Sequence, residues 1–210
     1  MLFLLIGLLL VAAGFTMLTK RNRESLYLLG MCCSLMVQFS GILIFIAKKG
    51  GYSRSIINFL FFSQALRNKL QYLFITLDAL GYVIAVGRYL FPLFLLESAL
   101  QYSMIGWIRR HPDIQKWICV LPAATLAVYF PPVFRFIVNQ WPVMHSVLVE
   151  GSYWWITAYV AVALVLMIQE LFAITMRFCR QQFVGIVGCH LALSGLYLLY
   201  CGQDPAQVYQ

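Results

Sequence analysis

Residues 25–47 read SLYLLGMCCSLMVQFSGILIFIA, without a single Lys, Arg, Asp or Glu. Wound as an α-helix at ~1.5 Å per residue, such a run crosses the ~30 Å hydrocarbon core of a bilayer. Four other stretches, 2–18, 117–134, 152–169 and 181–203, are equally free of charge, and 89–108 carries only Glu97. The pattern predicts an all-α, polytopic transmembrane helical bundle of six spans, at about 2–18, 25–47, 86–108, 117–134, 152–176 and 183–203. Composition agrees, with 62% of residues apolar, 10% charged and a mean hydropathy of +0.84. The 210 residues leave room for one bundle, read as a single membrane domain over 1–210.

In a soluble chain the net charge of +8 would point to nucleic acid. Here the cations gather at span ends, in Lys20–Arg21–Asn22–Arg23, Arg109–Arg110 and Arg177–Phe178–Cys179–Arg180. At those places they set topology and anchor to anionic headgroups, so the expected partner is the lipid bilayer and no nucleic acid. The excess of basic residues makes these short loops cytoplasmic and puts the amino terminus outside. The first apolar run is read as a span and not as a cleaved signal, because its basic cluster follows the apolar core instead of leading it. The connection after the second span contains Lys48, Lys49, Arg54, Arg67 and Lys69 and is assigned to an interfacial outer segment over about 50–85. Separate crossings at 70–87, interrupted by Asp78, and at 89–108 are rejected, since Arg88 alone would have to join them.

Ionisable residues within spans are the natural starting points for function. Glu97 is expected near the middle of the third span, facing the bundle interior, protonated or paired. Arg88 is expected nine residues, roughly 13 Å, nearer the outer end. His190 and Gln38 fall mid-span in the sixth and second helices, and Glu170 lies within reach of Arg177 or Arg180. Two readings stand side by side: a ligand site or proton-sensitive switch built from Glu97 and His190, or interhelical hydrogen bonds of ~1 kcal/mol that hold the bundle. Pro92 invites a kink one turn above Glu97, and Pro122, Pro131 and Pro132 do the same in the fourth helix. An outer loop at 135–155 holds Arg135, Trp141, His145, Glu150, Tyr153, Trp154 and Trp155, its aromatics either an interfacial belt or a recognition surface. The candidate ligand-binding set is Arg88, Pro92, Glu97, Arg135, Trp141, His145, Trp154 and His190, around a cavity in the outer half of the bundle.

Enzyme signatures are missing from the sequence. There is no H-E-x-x-H pair, no G-x-S-x-G elbow and no Gly-rich phosphate loop followed by Lys. His111, His145 and His190 are expected at different depths, so no metal or other cofactor is expected. The cysteines lack C-x-x-C spacing; Cys32–Cys33, Cys119 and Cys189 read as small apolar residues. No transporter-type repeat is visible in the two halves.

The run RYLFPLFLLESALQYS at 88–103, followed by Arg109–Arg110–His111–Pro112 and Leu121–Pro122–Ala123, resembles the amino-terminal seven-helix sensor region of bacterial histidine kinases. The tail Tyr200–Tyr209 looks like the same group of Gram-positive sensor kinases. The resemblance implies the membrane input domain of a two-component receptor, without catalysis of its own. An extracellular or membrane-borne ligand and a homodimer formed through a carboxyl-terminal kinase region are implied with it. Six spans that begin outside end outside, so the expectation is that a seventh crossing would precede any kinase and that this chain is a truncated sensor region. Two other classes share the composition: a small transporter or permease subunit with Arg88, Glu97 and His190 along its path, and a non-catalytic membrane scaffold.

Overall fold

In a computed structural model of the chain, the structure describes residues 2–18, 23–49, 61, 63–103 and 113–201. Eight helices account for nearly all of them: α1 Leu2–Leu18, α2 Arg23–Lys49, α3 Gln64–Gln71, α4 Leu77–Tyr102, α5 Asp113–Val128, α6 Pro131–Gln140, α7 Pro142–Ala173 and α8 Arg177–Cys201. The protein is an all-α bundle with several apolar helices of membrane-spanning length. α2, α4, α7 and α8 are each long and apolar enough to cross a membrane. The count reaches five if α5 and α6, bent by 71° at Tyr129–Phe130, are one broken span. That is fewer than the six expected, because α1 is apolar but short and the fourth run is split in two.

The third crossing differs most from the sequence expectation. It does not run over 86–108 but over Leu77–Tyr102, a single helix. Asp78, read from the sequence as an interruption, sits in its first turn, where a carboxylate complements the helix dipole. Thr76 caps the helix, its hydroxyl oxygen accepting from the Ala79 amide at 3.3 Å. The shift exchanges two depths. Arg88 stands near the middle of α4, and Glu97 lies five residues, about 8 Å, from its carboxyl end. Of the interfacial segment expected over 50–85, residues 64–71 form the short helix α3, everything from Leu77 onward belongs to the crossing helix, and 50–60 lie outside the described residues.

The prolines divide by position. Pro92 and Pro122 sit inside continuous helices, whereas Pro131 occupies the first turn of α6, where a missing amide is tolerated. The outer loop expected over 135–155 is therefore not a loop. It is helix, split between α6 and α7 and broken only at Trp141. The basic loop expected over 177–182 belongs to α8, and the connection is the three residues 174–176.

α4 is the centre of the bundle. It packs along α2 and α7 and also touches α5, α6 and α8, while α1 lies against α2. Its antiparallel crossing with α2 is close because both helices present glycine there. A β-carbon at Gly87 would come within 2.5 Å of the Ser34 carbonyl oxygen and 2.6 Å of the Gln38 amide, and one at Gly41 within 2.6 Å of the Ile84 side chain. Backbones in such contact gain van der Waals packing, the main attraction between helices in lipid. Met31, Leu35, Phe39 and Ile42 of α2 and Ile84, Phe91 and Leu95 of α4 are buried in the resulting core.

Candidate functional site

Arg88 is only 1% exposed, although it stands about 17 Å from the start of α4. A bare guanidinium at that depth costs ~3 kcal/mol or more. Aromatic faces offset part of this cost. The Tyr153 ring centre lies 4.6 Å from the guanidinium carbon and that of Tyr89 lies 6.0 Å away. From Tyr89 a continuous run of rings leads toward the end of the bundle where α4 begins. Tyr89 meets Tyr129 at 5.2 Å and Trp155 at 5.7 Å, Tyr129 stacks on Phe134 at 5.0 Å, and Phe134 meets the edge of His145 at 5.4 Å. The break between α5 and α6 makes this possible, because it folds Tyr129 and Phe134 back onto each other. Beside the rings lies an apolar cleft of about 320 Å³ between α5 and α7, lined by Leu121, Thr125, Tyr129, Val147, Ser152 and Trp155 among others.

The two interior prolines create the polar contacts of the site. A proline has no amide hydrogen, so the carbonyl four residues before it loses its helical donor. For Pro92 that carbonyl belongs to Arg88, and the Tyr197 hydroxyl on α8 donates to it at 3.0 Å. For Pro122 it belongs to Ile118, and the Tyr159 hydroxyl on α7 donates to it at 3.0 Å. In each case a tyrosine from a neighbouring helix supplies the donor that the proline removed, the arrangement a water-free interior requires. Tyr197 also stacks on Phe91 with ring centres 4.5 Å apart.

α8 makes a second polar contact about two turns away along its own axis. His190 Nδ1 donates to the Ile186 carbonyl at 2.8 Å, and Nε2 meets the Ser98 hydroxyl at 2.9 Å. His190, Ser194 and Tyr197 form an i, i+4, i+7 stripe of buried residues on one face of α8. The rest of that helix is largely uncovered: 28% of its apolar window is buried, against 61% for α4.

The eight residues singled out in the sequence fall into separate places. Arg88 and Pro92 share the core site. Glu97 is buried within hydrogen-bonding reach of Tyr27 on α2, whereas His190 bonds the next residue, Ser98. Arg135 lies on α6 and pairs with Asp78 at the start of α4. His145 touches Phe134 at the outer end of the ring run, and Trp141 meets Phe136 edge-on at 6.1 Å at the α6–α7 break. Trp154 is 77% exposed and faces away from the site, whereas its neighbours Tyr153 and Trp155 face in. The sequence reading passed over Tyr89, Tyr129, Tyr159 and Tyr197. The four-residue offset from each interior proline marks the carbonyls that need donors, but it does not say which tyrosine comes to them. Among the described residues no three His, Cys, Asp or Glu side chains gather as metal ligands. Comparison with family models, curated proteins and solved structures finds no match for this chain.

Proposed function

We propose that the chain is the membrane-embedded signal-input domain of a two-component sensor histidine kinase. In this reading it lies in a bacterial plasma membrane with its amino terminus outside, senses an extracellular or membrane-borne ligand, and dimerises through a kinase region beyond it. α1 and the bent α5–α6 pair then serve as the first and fourth of six crossings. The observation that carries the reading is how α8 is held. A peripheral helix joined to the central one by two directional hydrogen bonds, Tyr197 to the Arg88 carbonyl and His190 to Ser98, has few apolar contacts to break when it moves. Such a helix suits transmission along the chain.

The ring run from His145 through Phe134, Tyr129 and Tyr89 to Arg88 supports an input path from the outer end toward that joint. A ligand that binds one arrangement of α8 more tightly than the other biases it, and one with equal affinity for both transmits nothing. The coding sequence beyond codon 210 is the first test. A further apolar span followed by a dimerisation helix and an ATP-binding domain is the expected finding, and a stop codon there removes the kinase reading. The 1–210 chain reconstituted in proteoliposomes is expected to move no solute; substrate-dependent counterflow would replace the receptor with a transporter.

A further inference from the structure

The stretch of chain between α2 and the start of α4 carries charge of one sign. No Asp or Glu lies between Glu24 and Asp78, an interval that contains Lys48, Lys49, Arg54, Arg67 and Lys69. Asp78 itself is engaged by Arg135. Lys48 fastens the turn after α3 to the end of α2, its ammonium donating to the Leu73 carbonyl at 2.8 Å and the Gln71 carbonyl at 3.4 Å. Arg67 and Lys69, both on α3, make no ion pair with an acidic side chain among the described residues, and Ser63 caps that helix through the Leu66 amide at 3.2 Å. Directly after it the backbone bonds Tyr72 N–H to Asn68 O (3.2 Å) and Ile75 N–H to Leu73 O (2.8 Å) fix a tight turn. That turn holds Tyr72 84% exposed and Phe74 fully exposed. Large rings projecting beside two cations with no acidic partner among the described residues, at the end of a bundle of apolar helices, match a surface that is apolar below and anionic above.

We propose that α3 and the turn at 72–74 form a docking surface for anionic phospholipid. Arg67 and Lys69 hold the phosphate headgroups, and Tyr72 and Phe74 insert beside the acyl chains. Charge complementarity selects the anionic lipid, because the phosphate of a zwitterionic headgroup is already balanced by its own ammonium and offers the two cations no net charge. The clamp from Lys48 matters here: it holds the rings at a fixed angle to the helix ends, so docking needs no prior ordering of the turn. This inference is independent of whether the chain is a receptor.

The test uses the full chain in neutral detergent, titrated with dioctanoyl phosphatidylglycerol or dioctanoyl phosphatidylcholine and read by native mass spectrometry. The wild type is expected to bind the glycerol lipid more tightly. A cation near an anionic surface contributes about five-fold in affinity, so R67Q/K69Q is expected to lose about 25-fold for that lipid and nothing for phosphatidylcholine. R67K/K69R retains the charge and is expected to bind like the wild type, and Y72S/F74S to weaken both lipids. Equal affinity of the wild type for the two lipids, unchanged binding by R67Q/K69Q, or lost binding by R67K/K69R would each overturn the proposal. Displacement of the lipid by millimolar inorganic phosphate would identify a free-anion site and overturn the lipid assignment.

Discussion

The hydroxyl of Tyr197 donates to the main-chain carbonyl of Arg88, four residues before Pro92, and so replaces the amide that proline lacks. The dependence of one on the other is measurable. Tyr197→Phe leaves a carbonyl without that donor in a dry interior and is expected to cost about 1–2 kcal/mol. Pro92→Ala returns the helical donor, so in that background the Tyr197→Phe cost should shrink toward zero. Stability of the four proteins in mixed-micelle denaturant titrations gives the cycle, and an equal cost in both backgrounds would refute the link.

The second proline behaves in the same way. Tyr159→Phe should destabilise in the presence of Pro122 and much less in Pro122→Ala, again by about 1–2 kcal/mol. The two cycles should be additive with each other, because they join different helix pairs, α4 to α8 and α5 to α7. Strong coupling between them would mean that the bundle rearranges as one body.

Gly87→Ala is expected to weaken the α2–α4 crossing by about 1–3 kcal/mol, since the new methyl group meets main-chain atoms that cannot turn aside. The Ser34 oxygen would be 2.5 Å away. Gly185→Ala, with nothing within 4 Å, serves as the neutral control on an exposed helix face. A wild-type melting temperature for Gly87→Ala would show that the helices separate at no cost.

Arg135 and Asp78 tie α6 to the start of α4, but their side chains are 65% and 26% exposed. Their coupling is therefore expected below ~1 kcal/mol and should fade as salt rises. The charge reversal Asp78→Arg with Arg135→Asp should restore whatever each single change loses. A coupling that persists in ~1 M salt, where the screening length falls to about 3 Å, would argue for a buried contact instead.

Orientation can be read by chemical labelling. In a cysteine-free background, a cysteine at 72 should react with an impermeant reagent added outside, and one at 113 should not. Tyr72 and Asp113 lie at opposite ends of the bundle and both are exposed, so burial does not explain a difference. Reversed labelling would invert the topology argued from the basic clusters.

The helical class was legible, and with it several apolar helices of membrane-spanning length, because charge-free runs of this length have the apolar reach of a bilayer crossing. The boundaries were less so, and Asp78 shows why. A carboxylate in an apolar run reads as an interruption, yet behind the Thr76 cap it marks the first turn of α4; starting the span at about 86 put Arg88 at its mouth and Glu97 in its middle. Pro131 likewise reads as a kink until the chain bends by 71° and it proves to be a helix start. Of the candidate site, Arg88 and Pro92 could be named from the sequence, but Tyr129, Tyr159 and Tyr197 could not. Their roles depend on which face of a neighbouring helix meets α4 or α5, and a uniformly apolar helix gives no periodic signal for that.

The connector at 174–176 spans at most about 11 Å, so α7 and α8 are tied together as one helical hairpin. The consequence concerns the order of assembly. α4 is synthesised with a guanidinium near its middle, and two of the groups that meet that region, Tyr153 and Tyr197, belong to the hairpin made about 65 to 110 residues later. Between those moments α2 can already shelter one side of α4 through the glycine crossing, while the Arg88 side waits. The surroundings of Arg88 are thus complete only once α8 has been made.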